Sequence, residues 1–525
     1  MLRSQIRKGI ESVTPPGAVF SAEKPDNPEH GDYSSNIALV LAKELGKNPR
    51  DVAEDLKNKL LSNRIAKWVE KIDIAGPGFL NFFISRGALV KKLSSKNFLS
   101  LPARRRAGAR PHLKFLSESF STKIKKINIE FVSANPTGPL TMANGRGGFY
   151  GDALANVLEA VGHKVTREYY INDAGNQIRI LGESILAAAG KVLAGGPAKE
   201  EYYKGDYIKK LKGKTAEAAA KILLGEIKKS LKKAGIEFDV WFSEADMRKK
   251  GELKKTLEFL NKKNALKERE GALWLGDAVV VKSNQEYAYF LADLAYHYDK
   301  FIKRKFDLAI NVWGADHYGY VERMKKGIEA LSVNPERLNI RVLQLVRLTS
   351  GGKEVRMSKR TGEFVTLDDL LKEVGVDAAR WFFLERSPDT HMDFDLDLAK
   401  ERNKKNPVYY VQYAHARACS ILKKGGQSKK VDLNLLTQPE ELTLIKKILQ
   451  LTEIIEDTAE DYQAHRLPRY AYELAKTFTN FYEKHHVVDS KNPELTQARL
   501  FLVSAAQKTI KTTLSLMGIA APEKM

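Results

Sequence analysis

Between Lys126 and Ile171 a strand, a glycine-bearing turn, a long helix and a second strand follow one another. Ile127-Asn128-Ile129-Glu130-Phe131-Val132 alternates like a strand, and Ser133-Ala134-Asn135-Pro136-Thr137-Gly138-Pro139 breaks it. Gly145 to Gly162 carries the pattern of an amphipathic helix, and Val165 to Ile171 reads as the next strand. This is a βαβ unit. Its crossover helix makes the two strands parallel, and it is the building block of a parallel, doubly wound sheet. Such sheets hold ligands at the turn between strand and helix. Gly138, Gly145, Gly147 and Gly148 admit a ligand close to the backbone, and a helix N-terminus favours anions. Taken alone, the glycines also fit a ligand-free tight turn, the less favoured reading. The Gly-x-Gly-x-x-Gly pattern of dinucleotide enzymes is missing after the first strand.

The chain has 525 residues, enough for about three or four domains. Residues 1–95 read as a small α/β domain that ends in the strand Phe79 to Ile84. Residues 96–126 hold nine Lys or Arg against the single acid Glu118, and read as a basic linker. The parallel-sheet domain is expected over 127–385, with Ala278-Val281, Leu308-Trp313 and Arg341-Val346 as further strands. A mostly helical insertion is expected at about 174–265, with ten lysines from Lys204 to Lys233. After about residue 386 the strand signals fade, and 386–525 reads as a bundle of four or five amphipathic helices. One cysteine, Cys419, excludes an intrachain disulfide and a cysteine zinc cluster, which suits a reducing compartment. A net charge of +22 points to a polyanion, nucleic acid or membrane surface, or to a merely solvated surface. No apolar run reaches the ~18 residues of a membrane span.

Read as a whole, Ile129 to Leu140 resembles the start of the nucleotide-binding signature of arginyl-tRNA synthetases. Further blocks resemble the same family: Tyr169 to Gln177, Phe238 to Glu244, Gly314-Ala315-Asp316-His317, Met392 to Leu398, Asn406 to Arg417 and Gly518 to Met525. The resemblance runs from about residue 20 to the last residue. It implies a class I aminoacyl-tRNA synthetase: a Rossmann-like catalytic domain with a helical insertion, a small N-terminal α/β domain and a C-terminal α-helical anticodon-binding bundle. Its implied reaction joins L-arginine to ATP and passes the arginyl group to tRNA(Arg). Mg2+ is expected to arrive with ATP through its phosphates, since no metal cage is visible. A cytoplasmic monomer, independent of membranes, is expected.

One motif departs from the family. Where His-x-Gly-His normally follows Leu140, this chain has Thr141-Met142-Ala143-Asn144. A Thr hydroxyl and an Asn amide can still donate to phosphate or ribose oxygens. A rewired working site is therefore expected, the alternative being an inactive tRNA-binding protein on the same scaffold. The second motif, Arg356-Met357-Ser358-Lys359-Arg360, resembles Lys-Met-Ser-Lys-Ser, with Lys359 at the lysine that stabilises pyrophosphate. By resemblance, Gly138, Pro139, Thr141, Ala143, Asn144, Gly145, Gly314, Asp316, Met357, Ser358 and Lys359 serve ATP. Asn135, Tyr289 and Asp293 serve arginine, with Glu130 and His317 as further candidates. Tyr289 and Asp293 lie four apart on one helix face, and a guanidinium calls for a carboxylate. Tyr410, Tyr413 and Arg417 form one stripe suited to stacking on anticodon bases, and Asn81, Phe83 and Met525 are further tRNA candidates.

Overall fold

A computed structural model describes residues 2–95, 123–190, 201–354, 365–425 and 431–525. Five strands form the central sheet: β1 (Lys126–Glu130), β2 (Lys164–Ile171), β3 (Val240–Ser243), β4 (Leu308–Gly314) and β5 (Leu338–Leu343). Their order is β5-β4-β1-β2-β3, and every neighbouring pair is parallel. Ile127 and Ile129 are buried together with Asn128 and Glu130, because helices cover both faces of a parallel sheet. Strand order reverses between β1 and β4, which places the ligand crevice there.

The helix after β1, Met142–Ala160, is not amphipathic as the sequence pattern suggested. It is buried on all sides except at Ala143, Asn144 and Glu159. Its polar residues are paired within the interior: Asp152 accepts from Arg380 at 2.8 Å, and Asn156 donates to the Leu516 carbonyl at 3.0 Å. A Cβ on Gly151 would stand 2.7 Å from the Cβ of Phe131, so glycine lets this helix lie directly on the turn after β1.

Two strand assignments are corrected. Val240–Ser243 lies inside the stretch read as a helical insertion, yet it returns to the parallel sheet as its edge strand. Ala278–Val281 belongs instead to a separate three-stranded antiparallel sheet with Ala272–Leu275 and Leu266–Arg269. The helices between β2 and β3, Asn176–Ala188, Asp206–Lys210 and Ala216–Lys233, share a small core of their own built on Leu181, Ile208 and Leu223.

The N-terminal unit pairs a four-stranded antiparallel sheet with helices. Five helices, from Pro407–Gly425 to Pro493–Leu516, form the C-terminal bundle. A strand at Met392–Asp395 precedes it, past the point where strand signals fade in the sequence. The first and last units touch: Arg3 bonds Asp457 at 2.5 Å and Glu456 at 2.9 Å, and the Tyr33 hydroxyl donates to Glu453 at 2.7 Å. Among the described residues no helix is long and apolar enough to cross a membrane.

Candidate active site

The C-terminal ends of β1 and β4 part at the switch point and open a cleft of about 500 Å³. The chain leaving β1 bends sharply there, with Val132 at φ 66° and Ser133 at φ 41°. A β-branched residue in the left-handed region is strained by about 1–3 kcal/mol, so the surroundings must hold it. The Ser133 hydroxyl does so, donating to Glu130 at 3.2 Å and accepting the Tyr170 N–H at 3.1 Å. Val132 through Asn135 and Thr137 through Pro139 then line the cleft, opposite Val312 through His317.

Thr141 and Asn144 form a reciprocal capping box at the start of the long helix. Asn144 Oδ1 accepts the Thr141 N–H at 2.8 Å and the Thr141 hydroxyl at 2.9 Å, while the Asn144 N–H reaches Thr141 Oγ1 at 3.3 Å. The substituted motif thus retains a well-capped helix start. It differs from the expectation in one respect: the Thr141 hydroxyl proton is committed to Asn144, and Thr141 does not line the cleft. Ala143 and Asn144 do line it. Gly145 faces away, where a Cβ would meet Leu367 Cδ1 at 2.7 Å. Arg146 lines the cleft but donates to the carbonyls of Gln344, Ser387 and Thr390, and burial lowers its pKa to about 10.

A group of acids lies beside this cleft. Asp293, on the helix Tyr289–Tyr298, accepts from the Tyr320 hydroxyl at 2.6 Å and makes no ion pair among the described residues. It keeps some exposed surface but is closely surrounded by protein. Desolvation, with Glu244 and Glu130 nearby, pushes its carboxyl up to about 7 against the Tyr320 hydrogen bond. Glu244 is buried, accepts from the Tyr170 hydroxyl at 2.8 Å and pairs with Arg248 at 2.6 Å. Glu130 is occupied by the buried Lys300 at 2.8 Å, on a single π-helical turn, so it braces the wall and is not a free ligand for a guanidinium. Tyr289 is exposed, with its hydroxyl close to Gly175. Asn135 donates to Gln177 at 2.6 Å.

Gly314, Asp316 and His317 all line the cleft from the turn after β4. Asp316 is its one acid among the described residues, 3.4 Å from His317. Met357, Ser358 and Lys359 lie outside the described residues. The strand of chain that follows them runs beside the helix start, with the Met142 N–H donating to the Val365 carbonyl at 2.9 Å. Glu244, Gln177, Tyr203 and Tyr207 were not singled out from sequence; Glu244 closes one of the quoted blocks, which was its available signal.

The tRNA candidates divide. Tyr413 is partly exposed, Tyr410 lies against Tyr472 with centroids 5.3 Å apart, and Arg417 sits 5.2 Å over Tyr482. Met525 is exposed. On the N-terminal sheet Phe83 is half-buried beneath Lys71, whose ammonium is 4.2 Å from the ring. Asn81 is buried, a correction to its reading as a surface contact; its side-chain oxygen has no partner.

A class I synthetase sheet with its cleft at the β1/β4 switch point, flanked by an α/β unit and a helical bundle, is the architecture these elements define. The family models agree: arginyl tRNA synthetase N terminal domain over 1–84, tRNA synthetases class I (R) catalytic domain over 113–189 and 198–410, and DALR anticodon binding domain over 411–525. An arginine–tRNA ligase of Carboxydothermus hydrogenoformans is 42% identical, covering 96% of this chain and 94% of that protein. One from a Geobacter species is 43% identical, covering 100% and 99%. A Campylobacter jejuni structure described as an arginyl-tRNA synthetase is 34% identical, with TM-score 0.70, covering 79% of this chain and all of that one. The arginyl-tRNA synthetase of Thermus thermophilus, 23% identical with TM-score 0.78 over the whole chain, shares the fold. This chain belongs to the arginyl-tRNA synthetase family.

Proposed function

We propose that the chain is an arginine–tRNA ligase acting in translation. It activates L-arginine with ATP and transfers the arginyl group to the 3′-terminal adenosine of tRNA(Arg). The observation that carries this is Asp293, a desolvated carboxylate beside the nucleotide cleft with no ion-pair partner among the described residues. A guanidinium presents a rigid fork of donors, and its arrival both restores the Asp293 charge and satisfies it. Tyr289 stands one helical turn before Asp293 with its hydroxyl close to Gly175, Asn135 bonds Gln177 just beyond that glycine, and Glu244 adds negative potential at Asp293.

The arginine carboxylate attacks the α-phosphorus of ATP. A new P–O bond forms, the bond to the β-phosphate oxygen breaks, and pyrophosphate leaves. In the second step the adenosine hydroxyl attacks the arginyl carbonyl carbon and AMP leaves. No strong base is needed for the first step. In-line placement and charge stabilisation are needed, and the turn from Gly138 to the capped helix start supplies anion-favouring backbone. Lys359 stabilises the departing pyrophosphate, as its place in the Arg356-Met357-Ser358-Lys359-Arg360 motif implies. Gly314, Asp316 and His317 bound the nucleotide from the β4 side. Mg2+ comes with the phosphates, since among the described residues the cleft wall offers a single acid, Asp316. Tyr410, Tyr413 and Arg417 receive the anticodon, and the chain works as a cytoplasmic monomer.

An aminoacylation assay comparing arginine with lysine, with and without tRNA, tests this. Charging of tRNA(Arg) with arginine alone is expected. A folded protein that charges nothing would leave the inactive tRNA-binding reading in its place.

A further inference from the structure

Tyr203 and Tyr207 come from the helical unit between β2 and β3 and line the cleft above the glycine turn. Gly205 sits between them at φ 121°, a conformation that side chains rarely adopt, and it turns the chain so that both rings reach the cleft. Tyr203 is anchored: its N–H bonds Ser184 at 3.0 Å, and its hydroxyl donates to Gln177, which also holds Asn135. Tyr207 differs. A Cβ on Gly138 would stand 3.1 Å from its hydroxyl, so this oxygen lies against the turn itself. That hydroxyl makes no hydrogen bond to any described residue. Burial pushes its pKa up to about 12, so it stays a donor at neutral pH. The Thr141 hydroxyl, by contrast, already donates its hydrogen bond to Asn144 Oδ1.

We propose that Tyr207 is a nucleotide-contacting residue: its hydroxyl, poised over Gly138, donates to a β- or γ-phosphate oxygen of ATP and supplies a hydrogen bond that the Thr141 hydroxyl does not. The identity of the nucleotide rests on the ligase reading. The loss of a hydrogen bond to a charged oxygen is worth about tenfold or more.

Calorimetric titration of the full chain with ATP and with AMP, for wild type and Tyr207→Phe, tests the contact. Tyr207→Phe should weaken ATP about tenfold or more and leave AMP within about twofold, with an unchanged melting temperature. Pyrophosphate exchange should fall with it through kcat/KM for ATP, while KM for arginine holds. ATP affinity within about twofold of wild type would overturn the proposal, as would an equal loss for ATP and AMP, which would place the ring on the adenosine. If the wild type binds ATP but exchanges no pyrophosphate with tRNA(Arg) present, the ligase reading fails, and the ATP-against-AMP comparison still decides Tyr207.

Discussion

Asn144 Oδ1 accepts both the backbone N–H and the hydroxyl of Thr141, at 2.8 and 2.9 Å, so the two outer positions of the altered motif bind each other. In this chain the first helical turn is closed by its own side chains. The geometry separates two roles that one motif usually combines. Thr141 caps the helix, while Asn144 both caps it and lines the cleft.

Thr141→Ala should therefore lower stability by about 0.5–2 kcal/mol, the ordinary value of an N-cap, with ATP affinity within about twofold of wild type. Asn144→Ala should cost similar stability and also weaken ATP. Denaturant melts paired with nucleotide titration distinguish the two. A loss of ATP affinity in Thr141→Ala equal to that in Asn144→Ala would show that the cap and the ligand contact are one function.

Asp293 makes a prediction in pH. Its carboxyl is raised from 3.8 to about 7 in the folded chain. The folded state therefore holds more protons than the unfolded state between those values. The stability it contributes is complete below the unfolded value and is lost as pH rises through the folded one. Asp293→Asn keeps its neutral form throughout, so the ligand-free variant should melt above wild type at about pH 8, with the gap closing toward about pH 4. The same variant should lose arginine affinity on the order of 10- to 100-fold. For wild type, KM for arginine should rise as pH falls below about 7, because the guanidinium needs the ionised acid. A flat KM from about pH 6 to 8 would remove Asp293 from arginine recognition.

Residue period made the βαβ unit legible, since Ile127 and Ile129 alternate with residues facing the opposite layer. Period failed at Met142–Ala160. The stretch reads as amphipathic, yet Arg146, Asp152 and Asn156 are each buried against a partner far along the chain. Val240–Ser243 was hidden because four residues between two helices carry little pattern. Ala278–Val281 was recognisable as a strand, but an apolar strand reads the same in either sheet, and its antiparallel partners decide where it goes. At the site, Asp293 was legible as an acid among apolar neighbours. Tyr207 was not, since its neighbourhood with Gly138 is created by an insertion packing back over the turn.

Gly151→Ala should destabilise the chain. The added methyl would press on the Phe131 ring and Cβ, which are buried and cannot swing aside. Overpacking of this kind costs about 1–3 kcal/mol, readable as a shift of the denaturation midpoint at constant slope. Because Phe131 leads directly into the strained Val132–Ser133 bend, the variant should also raise KM for ATP. An unshifted midpoint would mean that the helix slides on the sheet at no cost.

The positive charge of the chain gives the last prediction. Binding of tRNA should weaken steeply with salt, as released counterions require. Arg417 lies 5.2 Å over Tyr482 on the bundle, where it bounds a groove of about 250 Å³ together with Lys424 and His485. If its charge meets a phosphate, Arg417→Ala should reduce the slope of log affinity against log salt by about 1. Tyr413 carries no charge and is 37% exposed, so Tyr413→Ala should weaken binding by about 1–3 kcal/mol if a base stacks on it, with the slope unchanged. Filter binding of tRNA(Arg) across a salt series measures both numbers at once. A changed slope in Tyr413→Ala, or an unchanged affinity in both variants, would move the anticodon contact off this stripe.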